Sequence, residues 1–209
     1  MTPLVLASAS PRRRELLARL GLEFDVRPVD IDEDPGRSRN PEIVARRLAR
    51  EKAEAARLLD EESPILAADT VVAFEGALLG KPRDATDATR TLQLLRGRTH
   101  EVVSAVAVMP EARRGPIARH PLTRVTMREY SDEEIAASIA REDPFDKAGA
   151  YAIQDPLLRP VERYDGCYCN VVGLSLWATI DVLRKAGIRI KAKDVDFLPE
   201  CAACPLARD

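Results

Sequence analysis

Ile65-Leu66-Ala67-Ala68-Asp69-Thr70-Val71-Val72-Ala73-Phe74 is an apolar run broken near its middle by a carboxylic acid and a hydroxyl. Apolar side chains on both faces mark a strand at the centre of a sheet, covered from both sides. A carboxylate in such a strand needs a cation, a metal or hydrogen-bond donors beside it. Groups of that kind are candidates for a metal ligand or a general base. The position equally suits a structural Asp that caps a neighbouring loop.

Strands and helices alternate on either side of this run. Leu4 to Ala7 reads as a short buried strand. Ser10 can cap the helix that follows, with Pro11 at its first position, Leu16, Leu17 and Leu20 on its apolar face and Gly21 at its close. Phe24 to Val29 reads as a strand, followed by an acidic loop from Asp30 to Asp34. Asn40 and Pro41 open a second helix with an apolar stripe at Val44, Leu48, Ala55 and Leu59. Beyond the central strand, Asp84 caps a helix that ends at Gly97, and Val102 to Met109 pairs with Leu122 to Met127. Ser131 and Glu134 have capping-box spacing. Tyr151 to Ile153 and Asn170 to Val172 are short strand candidates, and Leu174 to Lys185 is a last helix stopped by Gly187. The pattern predicts an α/β (mixed α+β) sheet fold.

The 209 residues suit one large domain or two small lobes sharing a cleft. With 45% hydrophobic and 32% charged residues, the chain has a sizeable core and a well-solvated surface. Aromatics at 4% and a net charge of -2 argue against broad binding of nucleic-acid polymers. A local cationic cluster could still hold a small polyanion. The short N-terminal apolar run stops at Pro11-Arg12-Arg13-Arg14, so neither a signal peptide nor a membrane span is expected, and the expected location is the cytoplasm.

Four further features carry chemistry. Arginines in a first helical turn oppose the helix dipole, so local helix stability does not explain Arg12 and Arg13. With the hydroxyls of Ser8 and Ser10 they suit a phosphate site, or else a solvated basic turn. Lys52 lies within the apolar stripe of its helix, where a lysine ordinarily snorkels to water but can also point into a charged cleft. Gly80-Lys81-Pro82 combines close backbone approach with a positive charge but lacks the spacing of a P-loop. Asp30, Asp32 and Glu33 offer oxygen ligands for Mg²⁺, or a merely solvated loop. Together these are the groups that chemistry on a metal–triphosphate requires.

In order, Leu6-Ala7-Ser8-Ala9-Ser10-Pro11-Arg12-Arg13, Asp32-Glu33, Arg50-Glu51-Lys52-Ala53, Ala68-Asp69-Thr70-Val71-Val72, Gly80-Lys81-Pro82, Leu95-Arg96-Gly97 with His100, Asp146 to Gln154, and Asn170-Val171-Val172-Gly173-Leu174 resemble the motifs of Maf proteins. The resemblance spans residues 4 to 187 or so. It implies a fold related to inosine-triphosphate pyrophosphatases: an elongated mixed sheet flanked by helices, two lobes around a central cleft, and usually a homodimer. Residues 1–190 would form the pyrophosphatase domain and 191–209 a cysteine-containing tail. The implied activity is hydrolysis of a nucleoside triphosphate between the α- and β-phosphates with Mg²⁺ or Mn²⁺. On this resemblance Asp69 accepts the proton of water, Glu33 holds the metal with Asp69, and Ser8, Arg13, Lys52 and Lys81 bind the triphosphate. Lys52 and Lys81 join Asp69 in the catalytic set. Arg12, Thr70 and Gln154 resemble the base-selecting residues of the branch acting on dTTP and UTP. Modified pyrimidine triphosphates, another base such as 7-methyl-GTP, and a binding role in septum formation remain alternatives.

The chain departs from the family pattern in two places. Asp155-Pro156 follows Gln154 where glycine is usual. Cys167-Tyr168-Cys169 replaces a common Ser-Tyr segment, and a second pair, Cys201 and Cys204, lies in the tail. C-x-C followed by C-x₂-C supplies four thiolates, enough for a closed tetrahedral Zn²⁺ site. Free thiols, disulfides and an iron–sulfur cluster are the alternatives.

Overall fold

The computed structural model describes residues 3–110, 115–142 and 144–208. Its elements are β1 (Leu4–Leu6), α1 (Pro11–Ala18), β2 (Phe24–Val26), α2 (Pro41–Arg57), β3 (Ile65–Phe74), β4 (Ala77–Leu79), α3 (Ala85–Leu95), β5 (Thr99–Met109), β6 (Ile117–Arg119), β7 (Leu122–Met127), α4 (Asp132–Ala140), β8 (Val161–Asp165), α5 (Tyr168–Val172) and α6 (Leu176–Lys185). One mixed sheet runs β2-β1-β3-β5-β7-β8, with β4 added to β3 and β6 to β5. β1 is parallel to β2 and β3, and the other pairings are antiparallel. This is the mixed α/β architecture expected.

The helix starts follow the expected caps. Ser10 accepts from the Arg13 amide, Asn40 from Glu42 and Ile43, Asp84 from Asp87, and Ser131 with Glu134 closes a reciprocal capping box. Each side-chain oxygen satisfies amides that the first helical turn leaves without intrahelical partners.

β3 and β5 form the spine, and β3 distributes the core by alternation. Ile65, Ala67 and Val71 face α2, while Leu66 and Ala68 face the core shared with α1 and α6. At its far end Val72 and Phe74 enter a third cluster with α3 and α4. Successive strand residues point to opposite faces, so Asp69 points to the α2 side and Thr70 to the α1 side.

The other edge of β3 is paired in two separate pieces. β1 takes Ile65 and Leu66, and β4 takes Val72 to Phe74. Residues 67–71 lie between these ladders, so the sheet forks there. β5 repeats the fork: β6 pairs Val106 to Val108, and β7 pairs Thr99 to Val103. Two lobes therefore diverge from a common spine, and Asp69 and Thr70 stand at the fork.

Several local expectations are corrected. The strand from Phe24 ends at Val26 rather than Val29. Tyr151 to Ile153 is not a strand: Tyr151 is extended, but among the described residues no strand pairs with the segment, and the chain already turns at Ile153 and Gln154. Asn170 to Val172 lies in α5, because a three-residue apolar run does not by itself separate helix from strand. β6 and the largely exposed edge strand β8 went unread. The α2 stripe continues through Lys52, Ala53 and Ala56, leaving Leu59 exposed.

The C-terminal segment contains short 3₁₀ turns and packs back on the first core cluster. Trp177 of α6 stacks on Phe197, with ring centroids 4.4 Å apart. Gly21 is backed by Asp194 and takes φ +66°, which a side chain at that position would resist. Among the described residues no helix is long and apolar enough to cross a membrane.

Candidate functional site

The fork opens into a cleft of about 590 Å³, within the size range of small-molecule sites. Ser8, Arg12, Arg13, Glu33, Lys52, Asp69, Thr70, Lys81 and Gln154 all line it. These come from the β1–α1 turn, the acidic loop, α2, the fork in β3, the turn after β4 and the segment after Gly149. The sequence scatters them over nearly 150 positions, and the topology gathers them.

On the α2 side, Lys52 is only 8% exposed. Its ammonium donates to Asp69 Oδ1 at 2.7 Å and to Glu33 Oε1 at 2.6 Å. Lys81 approaches Glu33 Oε2 from the opposite wall at 3.5 Å. Snorkelling, the ordinary behaviour for a lysine in such a stripe, is thus set aside. The stem crosses the apolar face of α2, and the charge meets the carboxylate that interrupts β3. Burial raises the Asp69 carboxyl above its usual range, against the opposing pull of Lys52 and Arg13. Burial also acts upward on Glu33, but hydrogen bonds and charge from Lys52, with help from Lys81, outweigh it and hold Glu33 low. Neighbouring carboxylates are therefore tuned in opposite directions, Asp69 toward basicity and Glu33 toward persistent ionisation.

On the α1 side, Arg13 turns inward. It donates from Nη2 to Thr70 Oγ1 at 3.0 Å, from Nε to Gly173 O at 3.0 Å and from Nη1 to Ser8 Oγ at 3.4 Å. Burial lowers its pKa, and Asp69 and Glu33 counter that effect. Arg12 instead reaches Asp146 Oδ2 at 3.1 Å. Asp146 also accepts from Lys147 at 2.7 Å. The basic turn is thus two differently used arginines, one fixed deep in the cleft and one at its rim.

A polar network behind Thr70 is the main feature that motif reading missed. Thr70 and Ser104 share a hydroxyl contact of 2.8 Å across the β3–β5 pair. Ser104 donates through Oγ to Asn170 O at 2.6 Å, and its amide donates to Asn170 Oδ1 at 2.8 Å. The Asn170 amide donates in turn to Val102 O and Thr123 Oγ1, both at 2.9 Å. All of these groups except Thr70 are almost fully buried. A hydroxyl inside the otherwise apolar run Val102 to Met109 is the available signal. Asp146 and Lys147 also line the cleft; they stood within a quoted motif but had no role assigned.

Gln154 is exposed at the cleft mouth. After it, Asp155 is buried, accepting from Arg141 at 2.8 Å and from the amides of Leu157 and Leu158. Asp155-Pro156 therefore forms a braced turn. Below the cleft, His100 Nε2 meets the Tyr151 hydroxyl at 2.7 Å, and His100 Nδ1 is buried without a partner among the described residues. In the acidic loop, Asp30 lines the cleft, whereas Asp32 accepts from the Asp34 amide.

The donor set fits a hard divalent cation. Mg²⁺ characteristically takes one or two protein carboxylates and completes its shell with water and phosphate oxygens. Glu33 and Asp69 supply two such carboxylates, joined through Lys52. The cleft lining includes five basic side chains, Arg12, Arg13, Lys52, Lys81 and Lys147, and four acidic ones, Asp30, Glu33, Asp69 and Asp146. So small a cationic excess leaves a polyphosphate facing carboxylates that a bridging cation would neutralise. Among the described residues, no group of three or more His, Cys, Asp or Glu side chains stands ready as a complete ligand set.

A profile of the Maf-like protein family matches residues 3–186. A relative from Thermomicrobium roseum, named dTTP/UTP pyrophosphatase, is 57% identical over 206 residues, covering 98% of this chain and 94% of that protein. A protein of the same name from Citrifermentans bemidjiense is 47% identical over 184 residues, covering 88% and 95%. Among solved structures, a nucleoside-triphosphatase / dITP/XTP pyrophosphatase from Mycobacterium abscessus aligns with TM-score 0.44 and 14% identity over 89% of this chain and 96% of that one.

Proposed function

The chain belongs to the Maf family, and on that premise we propose that it hydrolyses dTTP and UTP to the nucleoside monophosphate and pyrophosphate with the help of a divalent cation. The observation that carries this reading is the Glu33–Lys52–Asp69 bridge at the fork in β3, facing Arg13 and Lys81 across one cleft.

Asp69 accepts a proton from water as the oxygen bonds to phosphorus. Its burial suits it to the task, because a lifted pKa strengthens a carboxylate as a base. Lys52 keeps it ionised and oriented. Arg13 and Lys81 neutralise charge on the triphosphate, and Ser8 offers a hydroxyl beside Arg13. The bond between the α- and β-phosphates breaks, and pyrophosphate leaves. A divalent cation bound by Glu33 and Asp69 would supply charge neutralisation at the phosphate oxygens.

Thr70 acts through Arg13. Its hydroxyl is already engaged by Arg13 and Ser104, so in this reading it sets the angle of the guanidinium. Gln154 is the candidate base reader, since its amide offers a donor and an acceptor to O4 and N3–H of uracil or thymine. Arg12 closes the rim. The same reading places the protein with the cytoplasmic nucleotide pool, as a homodimer.

The test is pyrophosphate release from a panel of triphosphates including dTTP, UTP, 7-methyl-GTP and a purine, with Mg²⁺ or Mn²⁺ and an Asp69→Asn control. Turnover of the two pyrimidines, lost without metal and in the control, supports the reading. No turnover of any triphosphate by folded protein defeats it.

A further inference from the structure

Behind the cleft, two pairs of cysteines come together inside the protein. Cys167 and Cys169 flank the start of α5, and Cys201 and Cys204 lie in the C-terminal turns. All four are buried in the core cluster that α1 and α6 share. Cys169 Sγ lies 3.3 Å from Cys201 Sγ. The Cys167 thiol meets Ser175 Oγ at 3.4 Å. The Cys169–Cys201 contact joins the pair at the start of α5 to the pair in the C-terminal turns, and Cys167 and Cys204 are buried in the same cluster.

We propose that these four cysteines are a structural zinc site that fastens the C-terminal segment to α5. Core packing alone does not call for sulfur on sulfur, since an isolated buried cysteine serves as a small apolar side chain. Here two closely spaced pairs bring their sulfurs together. In a tetrahedral zinc–thiolate site with Zn–S near 2.3 Å, neighbouring sulfurs stand about 3.8 Å apart. The Cys169–Cys201 contact is already close to that spacing. Among the described residues no three such side chains already stand as a ligand set, so binding would require loss of the thiol protons and reorientation of the four side chains about a common point. An iron–sulfur cluster would need its thiolates spread around inorganic sulfides, and sulfurs in direct contact leave room for a single ion. Two disulfides would also consume four thiols, but each requires a two-electron oxidant that must reach a buried sulfur.

The segment so fastened is built of short 3₁₀ turns. Its other anchors are apolar packing of Val195, Phe197, Leu198 and Leu206, the Asp196 amide donating to Arg19 O at 2.7 Å, the Asp196–Arg19 ion pair, and the Cys201 carbonyl accepting from the Trp177 indole at 3.4 Å. Asn170, next in sequence to Cys169, locks Ser104 behind Thr70. The metal would therefore brace the rear of the cleft without touching substrate.

Full-length protein, purified without chelator under reducing conditions, is assayed for zinc before and after incubation with zinc chloride and desalting. The expected result is one zinc per chain that survives desalting and is released by a mercurial thiol reagent. Cys201→Ser/Cys204→Ser should retain none. Because that variant could fail to fold, cobalt(II) is also added to metal-free wild type, where intense sulfur-to-cobalt charge-transfer bands with tetrahedral d–d absorption are expected. Absence of both retained zinc and cobalt–thiolate bands in reduced wild type overturns the proposal. So does zinc undiminished in the double variant, or iron with acid-labile sulfide in its place. Pyrophosphate release is measured separately, so failure of this site and failure of the proposed activity are distinguishable.

Discussion

Acidifying the protein from about pH 8 to about pH 5 should remove about 2 kcal/mol of stability through His100 alone. His100 is almost fully buried beneath the cleft, bonded to Tyr151 through one ring nitrogen, with the other lacking a partner among the described residues. Burial lowers its pKa from 6.5 to about 4. Below pH 6.5 the unfolded chain takes up a proton that the folded chain refuses, so acid favours unfolding. The contribution is fully present above 6.5, shrinks as pH falls, and reaches its full loss of about 3 kcal/mol once pH falls below the folded value near 4. Carboxylates also titrate toward the lower end, so wild type alone is not decisive. The comparison is with His100→Gln, whose amide can keep a bond to Tyr151 and does not titrate. Urea unfolding at both pH values should show wild type losing about 2 kcal/mol more than the variant. Equal losses in the two proteins would refute the reasoning, because every other titrating group is common to both.

Asp69→Asn should lower pyrophosphate release by about 10²- to 10⁴-fold, measured under saturating triphosphate. Since the Asp69 carboxyl is raised and must be ionised to accept a proton, activity should fall with acidification on a limb whose midpoint lies above the ordinary 3.8; a midpoint at or below that value would contradict the assignment. Lys52→Met leaves Asp69 and Glu33 facing each other without their shared cation and should cost about 3–5 kcal/mol in denaturant unfolding. Thr70→Val removes the hydroxyl between Arg13 and Ser104 and should raise KM for the triphosphate with the fold intact by circular dichroism; an unchanged KM would argue that Arg13 does not need that support. Gly21→Ala would place a Cβ at 2.6 Å from the Asp194 carbonyl oxygen at positive φ, so its melting temperature should drop, by about 2–4 °C for each kcal/mol lost.

Elements whose signals are local could be read in advance. Ser10, Asn40, Asp84 and Ser131 each announce a helix start because a cap is a short-range bond. The β3 run announced a central strand because burial on both faces leaves no polar alternation. Asn170 to Val172 reads as a strand but folds as part of α5, and the Asn170 side chain is satisfied by Val102 and Thr123, far away in sequence. β8, with its exposed Glu162, Arg163 and Tyr164, becomes a strand only because β7 offers a free edge. Within the cleft, Asp69 and Arg13 stood out because each violates a local preference. Lys52 stood out within its apolar stripe, but its direction stayed open, because only the position of Asp69 removes the snorkelling explanation. The link between Ser104 and Asn170 could not be read, since it is made across the sheet between residues 66 positions apart.

The fork in the sheet has a mechanical consequence. β3 and β5 run uninterrupted beneath both lobes through nine register pairs. The lobes are therefore joined by a leaf spring rather than by a hinge loop. Opening the cleft must bend two long hydrogen-bonded strands together, a stiff deformation spread over many residues. Asp69 sits at the neutral axis of that spring, where bending moves atoms least, while Lys81 and Gln154 ride toward its free arms. In the proposed reaction, such a layout would keep the Asp69 carboxylate still and let Lys81 and Gln154 adjust to the two ends of a nucleotide.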